Sequence, residues 1–154
     1  MTFSTDLIRF AKDYIERARE RIKAAEGALE RESFPDVIRF CQEATELSLK
    51  AALRLVGIEY PKVHDVGDVL LLAAKRFPAT FEARIPQMAE FSREMSSKRS
   101  LAMYGVELSG KSPSQIFDDP VEASDSLKRA KEVLMLCSGL LKSDPEGTVA
   151  ASKA

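Results

Sequence analysis

The sequence holds a single histidine, His64, among 154 residues. A metal site built from several histidines of one chain is therefore excluded, and a Ser-His-Asp triad would have to use that one imidazole. Cysteine is almost as scarce. The two thiols, Cys41 and Cys137, are too few for a disulfide framework and point to a reducing compartment. No apolar run approaches the ~18–20 residues that a membrane helix needs. The opening MTFSTDLIRF lacks the basic stretch followed by an apolar one that marks a signal peptide. The expectation is a cytoplasmic protein with no membrane contact. Neither sign of charge dominates, since 23 Lys and Arg stand against 24 Asp and Glu. That disfavours a surface coating nucleic acid throughout and leaves room for a local patch. The seven glycines are scattered and form no phosphate-cradling motif.

What the chain does have is helical periodicity. Leu7, Ala11, Tyr14, Ala18, Ile22, Ala25 and Leu29 recur at steps of three and four, which places them on one helical face. Ser4 or Thr5 can cap the start. The opposite face carries Arg17, Arg19, Glu20, Arg21, Lys23 and Glu26; the interleaved acids favour a solvated face over a basic ridge for nucleic acid. A second helix is predicted over Phe34–Val56, with Ser33 as cap, Pro35 in the first turn, Asp36 completing a capping box and Gly57 as the stop. Its charges Arg39, Glu43, Glu46, Lys50 and Arg54 fall on one narrow line, and most of the rest is apolar, so it reads as a central helix. A third helix is predicted from an Asp65 cap, with Asp68 in the box position, through Phe77 to the stop at Pro78. A fourth covers about 82–104 with a kink at Pro86. Its apolar stripe is Ile85, Met88, Phe91, Met95 and Ala102, and Arg99 falls on that stripe. Residues 106–119 read as a long loop with at most one helical turn near Pro113–Phe117. The last helix starts at Pro120, with Asp119 as cap and Glu122 in a capping box, and its stripe is Ala123, Leu127, Ala130, Leu134, Cys137 and Leu141. Residues 143–154 are small and polar and are expected to be disordered. The fold class is all-α, an up-and-down helical bundle of about five helices over residues 1–142.

Chemistry is sparse. Both cysteines lie on apolar stripes and read as reduced core residues. His64-Asp65 has the look of a metal phosphohydrolase pair, but no further histidine exists to complete such a site, and a loop histidine beside a helix cap is the simpler reading. No cofactor is implied. One combination stands out: Glu46, Lys50, Arg99 and Tyr104. Glu46 and Lys50 are one turn apart on the polar line of the central helix. Arg99 is a charge on an apolar face, where an unpaired charge is very costly, so it needs an acid; Glu43 and Glu46 are the candidates, within the chain or across a dimer seam. Tyr104 closes the same helix. A Glu-Lys pair, a buried arginine bridge and a packed tyrosine would explain the same residues structurally.

These segments taken together resemble the HEPN domains, especially the small stand-alone archaeal and bacterial kind. The resemblance rests on FCQEATELSLKAALRLVGIEYP, HDVGDVLLLAAKRFP, SKRSLAMYG and DDPVEASDSLKRAKEVL in that order. It implies a helical bundle that pairs as a homodimer, frequently beside a minimal nucleotidyltransferase partner and in some pairs as toxin and antitoxin. It also implies, for active members, a metal-independent ribonuclease with the signature arginine, four to six residues, then histidine. Arg99 matches the arginine, and Glu46 and Lys50 match an upstream pair that often accompanies it. The histidine does not match: Tyr104 stands there, and a phenol with a pKa near 10 is poorly suited to proton transfer at neutral pH. The expectation is therefore a catalytically degenerate homodimeric module. It would bind a nucleotide or RNA at Glu46, Lys50, Arg99 and Tyr104 and associate with a minimal nucleotidyltransferase. The alternatives are a metal-independent ribonuclease toxin of a toxin-antitoxin pair, in which Tyr104 or a remote group substitutes for the histidine, and a purely structural interaction module.

Overall fold

The four strong stripes become four long helices. The computed structural model describes residues 4–142; the tail expected to be disordered, 143–154, lies outside the described residues. Helix α1 (Thr5–Glu30) is capped by Ser4, whose hydroxyl accepts from the Leu7 N–H. Its buried line is Ala11, Ile15, Ala18, Ile22, Ala25 and Ala28, so Tyr14 and Leu29 sit at the edge of the stripe. Arg31, Glu32 and Ser33 turn the chain back into α2 (Phe34–Leu55). Ser33 stands at the cap position but bonds no backbone N–H; its hydroxyl donates to the Asp36 carboxylate at 2.7 Å. The expected capping box is thus replaced by a side-chain pair, because the Ser33 ψ of 73° is far from the extended value a cap needs.

Helix α2 is the centre of the bundle. It packs on α1, on α5 (Ile85–Tyr104) and on α7 (Pro120–Lys142). Cys41, Ala44, Leu49, Ala52 and Leu53 are wholly buried along it, and the expected central position is therefore observed. Among the described residues there are no strands, only an isolated antiparallel bridge between Val106 and Lys111.

The connection from α2 to α5 differs from the expected third helix. It breaks into α3 (Gly67–Leu72), a 3-10 turn at Ala74–Arg76, and α4 (Ala79–Glu82). Asp65 is not the cap residue, which is Val66. Its carboxylate instead accepts from the Gly67 N–H at 2.9 Å and from the Ser92 hydroxyl at 2.8 Å, tying the loop to α5. Asp68 turns to Arg93. Gly67 makes this docking possible: a Cβ there would lie 2.7 Å from the Ala89 carbonyl oxygen of α5. Pro86 sits in the first turn of α5, where a missing N–H costs nothing, so the break falls ahead of the helix and not inside it. Segment 106–119 holds a 3-10 turn at Glu107–Ser109 and one helical turn, α6 (Pro113–Ile116), with a complete Ser112/Gln115 capping box. Asp119 accepts from the Val121 N–H at the start of α7. Glu122 makes no box and pairs with Lys98 at 2.9 Å.

Candidate functional site

The polar line of α2 faces a point where α1, α5 and the α2–α3 loop meet. A cavity of about 190 Å³ there is lined by Arg17, Arg21, Glu43, Glu46, Leu47, His64 and Arg99. That volume suits a phosphate group better than a drug-sized ligand, which needs ~300 Å³ or more.

Arg99 finds its acid within the chain. Its Nη1 donates to Glu43 at 3.2 Å and to the Gln42 amide oxygen at 2.6 Å. Glu43 is shared: Arg21 Nε donates to it at 2.8 Å and Arg39 at 3.3 Å. One carboxylate thus answers three guanidiniums. Gln42, almost wholly buried, links the two halves of the site, because its amide nitrogen donates to Glu46 at 2.9 Å. Glu46 accepts from Lys50 at 2.7 Å and meets His64 Nδ1 at 2.9 Å. Burial pushes the Glu46 carboxyl upward, but hydrogen bonds from Lys50, Gln42 and His64 outweigh it, and its pKa lies below the ordinary 4.5. Lys50 is itself buried and lies 5.2 Å from the Tyr60 ring centroid.

A lowered carboxyl pKa means stability that is complete above 4.5 and drains away as the pH falls through the folded value beneath it. Wild type and Glu46→Gln should therefore differ in urea midpoint at neutral pH and converge in acid. A gap that stays constant down to pH ~3 would show that the charge contributes nothing.

Arg17 of the cavity wall and Arg54 of α2 rest on ring faces. Arg17 lies over Tyr14 at 5.6 Å, and Arg54 lies between Phe10 at 4.6 Å and Tyr60 at 5.9 Å. Neither arginine has a carboxylate partner among the described residues, and the Arg54 Nε is buried without a hydrogen bond. Burial, then the hydrogen bond with Tyr14, pushes the Tyr60 phenol well above its usual range. Both cysteines are buried, the Cys41 thiol pushed up to about 12 by desolvation, so neither is a nucleophile.

Of the four residues that the sequence singled out, Glu46 and Lys50 are bonded, and Arg99 joins them through Gln42. Tyr104 is 63% exposed, has no bonded partner among the described residues and is not on the cavity wall. Spacing along the chain does not group His64, Gln42, Arg17 or Arg21 with these residues, yet all four are found here. Gln42 carried a readable signal, a polar side chain on the apolar side of a central helix. Arg17 and Arg21 were hidden among the other charges of α1.

An all-α bundle with an arginine-lined cleft on its central helix is the class that these features define. The family model described as HEPN domain matches residues 11–140, and the chain belongs to the HEPN family. No curated protein and no solved structure matches. Among the described residues no helix is long and apolar enough to cross a membrane, and no cluster of His, Cys, Asp and Glu has metal-site geometry.

Proposed function

We propose that this HEPN module binds the phosphate backbone of single-stranded RNA, or the phosphates of a nucleotide, in the cleft formed by Arg17, Arg21 and Arg99. The observation that carries the reading is the charge of the wall: three arginines against Glu43 and Glu46. Arg17 has no carboxylate of its own among the described residues. Arginine forks suit phosphate oxygens. Lys50 holds Glu46, a residue of the wall, at 2.7 Å. Tyr104, the last residue of α5, is not among the residues that line this cleft.

The family resemblance supports a homodimer and association with a minimal nucleotidyltransferase. Exposed Leu72, Leu108, Val121 and Met135 offer apolar surface for such contacts. Size-exclusion chromatography with light scattering, alone and with a nucleotidyltransferase added, tests both.

The cleft reading is tested by titrating a labelled short oligonucleotide and following its anisotropy. Arg99→Ala should weaken binding about tenfold, a loss of ~1.4 kcal/mol, and added salt should weaken the wild type. Unchanged affinity in Arg99→Ala would move the site elsewhere.

A further inference from the structure

We propose that the trough between α5 and α7 binds a single-chain zwitterionic amphiphile, with its alkyl chain over Phe77 and Phe81 and its head at Arg84 and Glu132. None of the trough residues lines the arginine cleft, so the inference does not rest on the RNA reading.

Helices α5 and α7 run antiparallel, as their pairings show: Lys98 meets Glu122, and Glu94 meets Arg129. Their backbones do not pack closely. Side chains bridge the seam, and Arg129 closes it by lying over the Phe91 ring at 4.3 Å. Beyond Arg129 the seam opens into a cavity of about 400 Å³, which continues at Leu136 into a second of about 610 Å³. Volumes of ~300–1,000 Å³ are those of ligand pockets.

The two parts differ in chemistry. The part beyond Leu136 is apolar. Phe77 stacks on Phe81 at 4.6 Å, and Met135 and Leu140 of α7 line the same space, with Thr80 as its one side-chain hydroxyl. Met135 is 66% exposed. Gly139 helps to keep this part open. It sits in the last turn of α7, where glycine weakens a helix, and a Cβ there would touch nothing. Packing does not call for a glycine; what the missing side chain leaves is room in the trough.

The part toward Arg129 carries both signs. Arg84 donates to the neutral Gln87 at 2.9 Å and has no carboxylate partner among the described residues. Glu90 and Glu132 line the same cavity, and neither has a cationic partner among the described residues. Arg129 is already engaged by Glu94 and Asp125. A head of one charge would meet either Arg84 or the two carboxylates as an opponent. A head with an anion beside a cation answers both, the anion on the Arg84 fork and the cation on Glu132 and Glu90. These charges are exposed, so they orient and select; removing the alkyl chain from water supplies the affinity.

The test titrates the full chain by calorimetry with dodecylphosphocholine below its micelle concentration, beside dodecanoate and dodecyltrimethylammonium. Binding should saturate at one molecule per chain, and the zwitterion should bind about fivefold tighter than either singly charged analogue. Arg84→Ala should remove the preference over the cation. Gly139→Leu fills the trough and Met135→Asp places a charge in it. Each should weaken binding at least ~10-fold, with the urea midpoint of Gly139→Leu undiminished. Absence of saturable binding overturns the proposal, as does wild-type affinity in both trough variants. Equal affinity for the three heads overturns the zwitterionic assignment. Binding to phosphatidylcholine vesicles without binding of the monomer would assign the trough to a membrane surface, and a changed oligomeric state of Gly139→Leu in light scattering would assign it to a protein contact; either overturns the proposal.

Discussion

Gly105→Ala should cost the fold about 3 kcal/mol or more, through two effects that add. Gly105 ends α5 at φ 68° and ψ −153°, a region that side-chain-bearing residues enter only at ~1–3 kcal/mol of strain. The second effect is contact. A Cβ at this position would collide with the Lys111 carbonyl oxygen and would also come within 3.0 Å of the Ser112 carbonyl carbon. That carbonyl oxygen is not free to move, because it accepts the Val106 N–H at 2.8 Å in the only β bridge of the described residues. The chain must therefore give up the bridge or shift the end of α5, which is the helix that carries Arg99. Gly110→Ala is the milder comparison, since Gly110 lies in the left-handed region at φ 72° and ψ 20° with open space around it. The unfolding free energy read from the denaturant midpoint at unchanged m should fall by about 3 kcal/mol or more for Gly105→Ala and by ~1 kcal/mol for Gly110→Ala. Equal midpoints for the two would show that neither the collision nor the more strained ψ of Gly105 costs stability.

Glu43→Gln should weaken the fold and tighten anion binding in the same protein. Its carboxylate receives Arg21, Arg39 and Arg99 at 2.8–3.3 Å, with only 18% of the side chain exposed. Removing the charge leaves three guanidiniums crowded together. Exposed ion pairs are worth ~0.2–1 kcal/mol each, and three half-buried ones sharing an acid should cost about 1–3 kcal/mol when broken. For a phosphate in the proposed cleft the same carboxylate would be a competitor, because it occupies Arg21 and Arg99. Glutamine keeps the shape and removes the competition, so affinity should rise about tenfold, or ~1.4 kcal/mol. Urea titration and oligonucleotide anisotropy read the two effects separately. Weaker binding in Glu43→Gln would mean that the carboxylate orients the arginines and does not mask them.

The long helices were legible because an apolar step of three or four leaves little choice of structure. Ile85, Met88, Phe91, Met95 and Ala102 were read as one stripe, and all five are buried. The short segments were not legible. The span predicted as one helix through Phe77 breaks at Ala73, and what holds α3 is tertiary: Gly67 against Ala89 and Asp65 on Ser92. Capping signals failed where another partner won, as Asp68 did with Arg93 and Glu122 with Lys98. At the site, Glu46, Lys50 and Arg99 were readable as charges in apolar surroundings. Grouping Tyr104 with Arg99 followed spacing along the chain, but five residues of helix turn the side chain by about 140°, which leaves Tyr104 facing away from the cavity wall. His64 was hidden for the opposite reason. Eighteen residues separate it from Glu46, and no helical period relates a loop residue to the helix it folds back upon.

That lone imidazole gives the molecule a built-in reporter. With one histidine in the whole sequence, the untagged protein has a single imidazole resonance pair in the aromatic proton spectrum. Its shift against pH reads the protonation of the cleft directly. Its response to added phosphate or nucleotide reads occupancy, with no label attached and no second histidine to confuse the assignment.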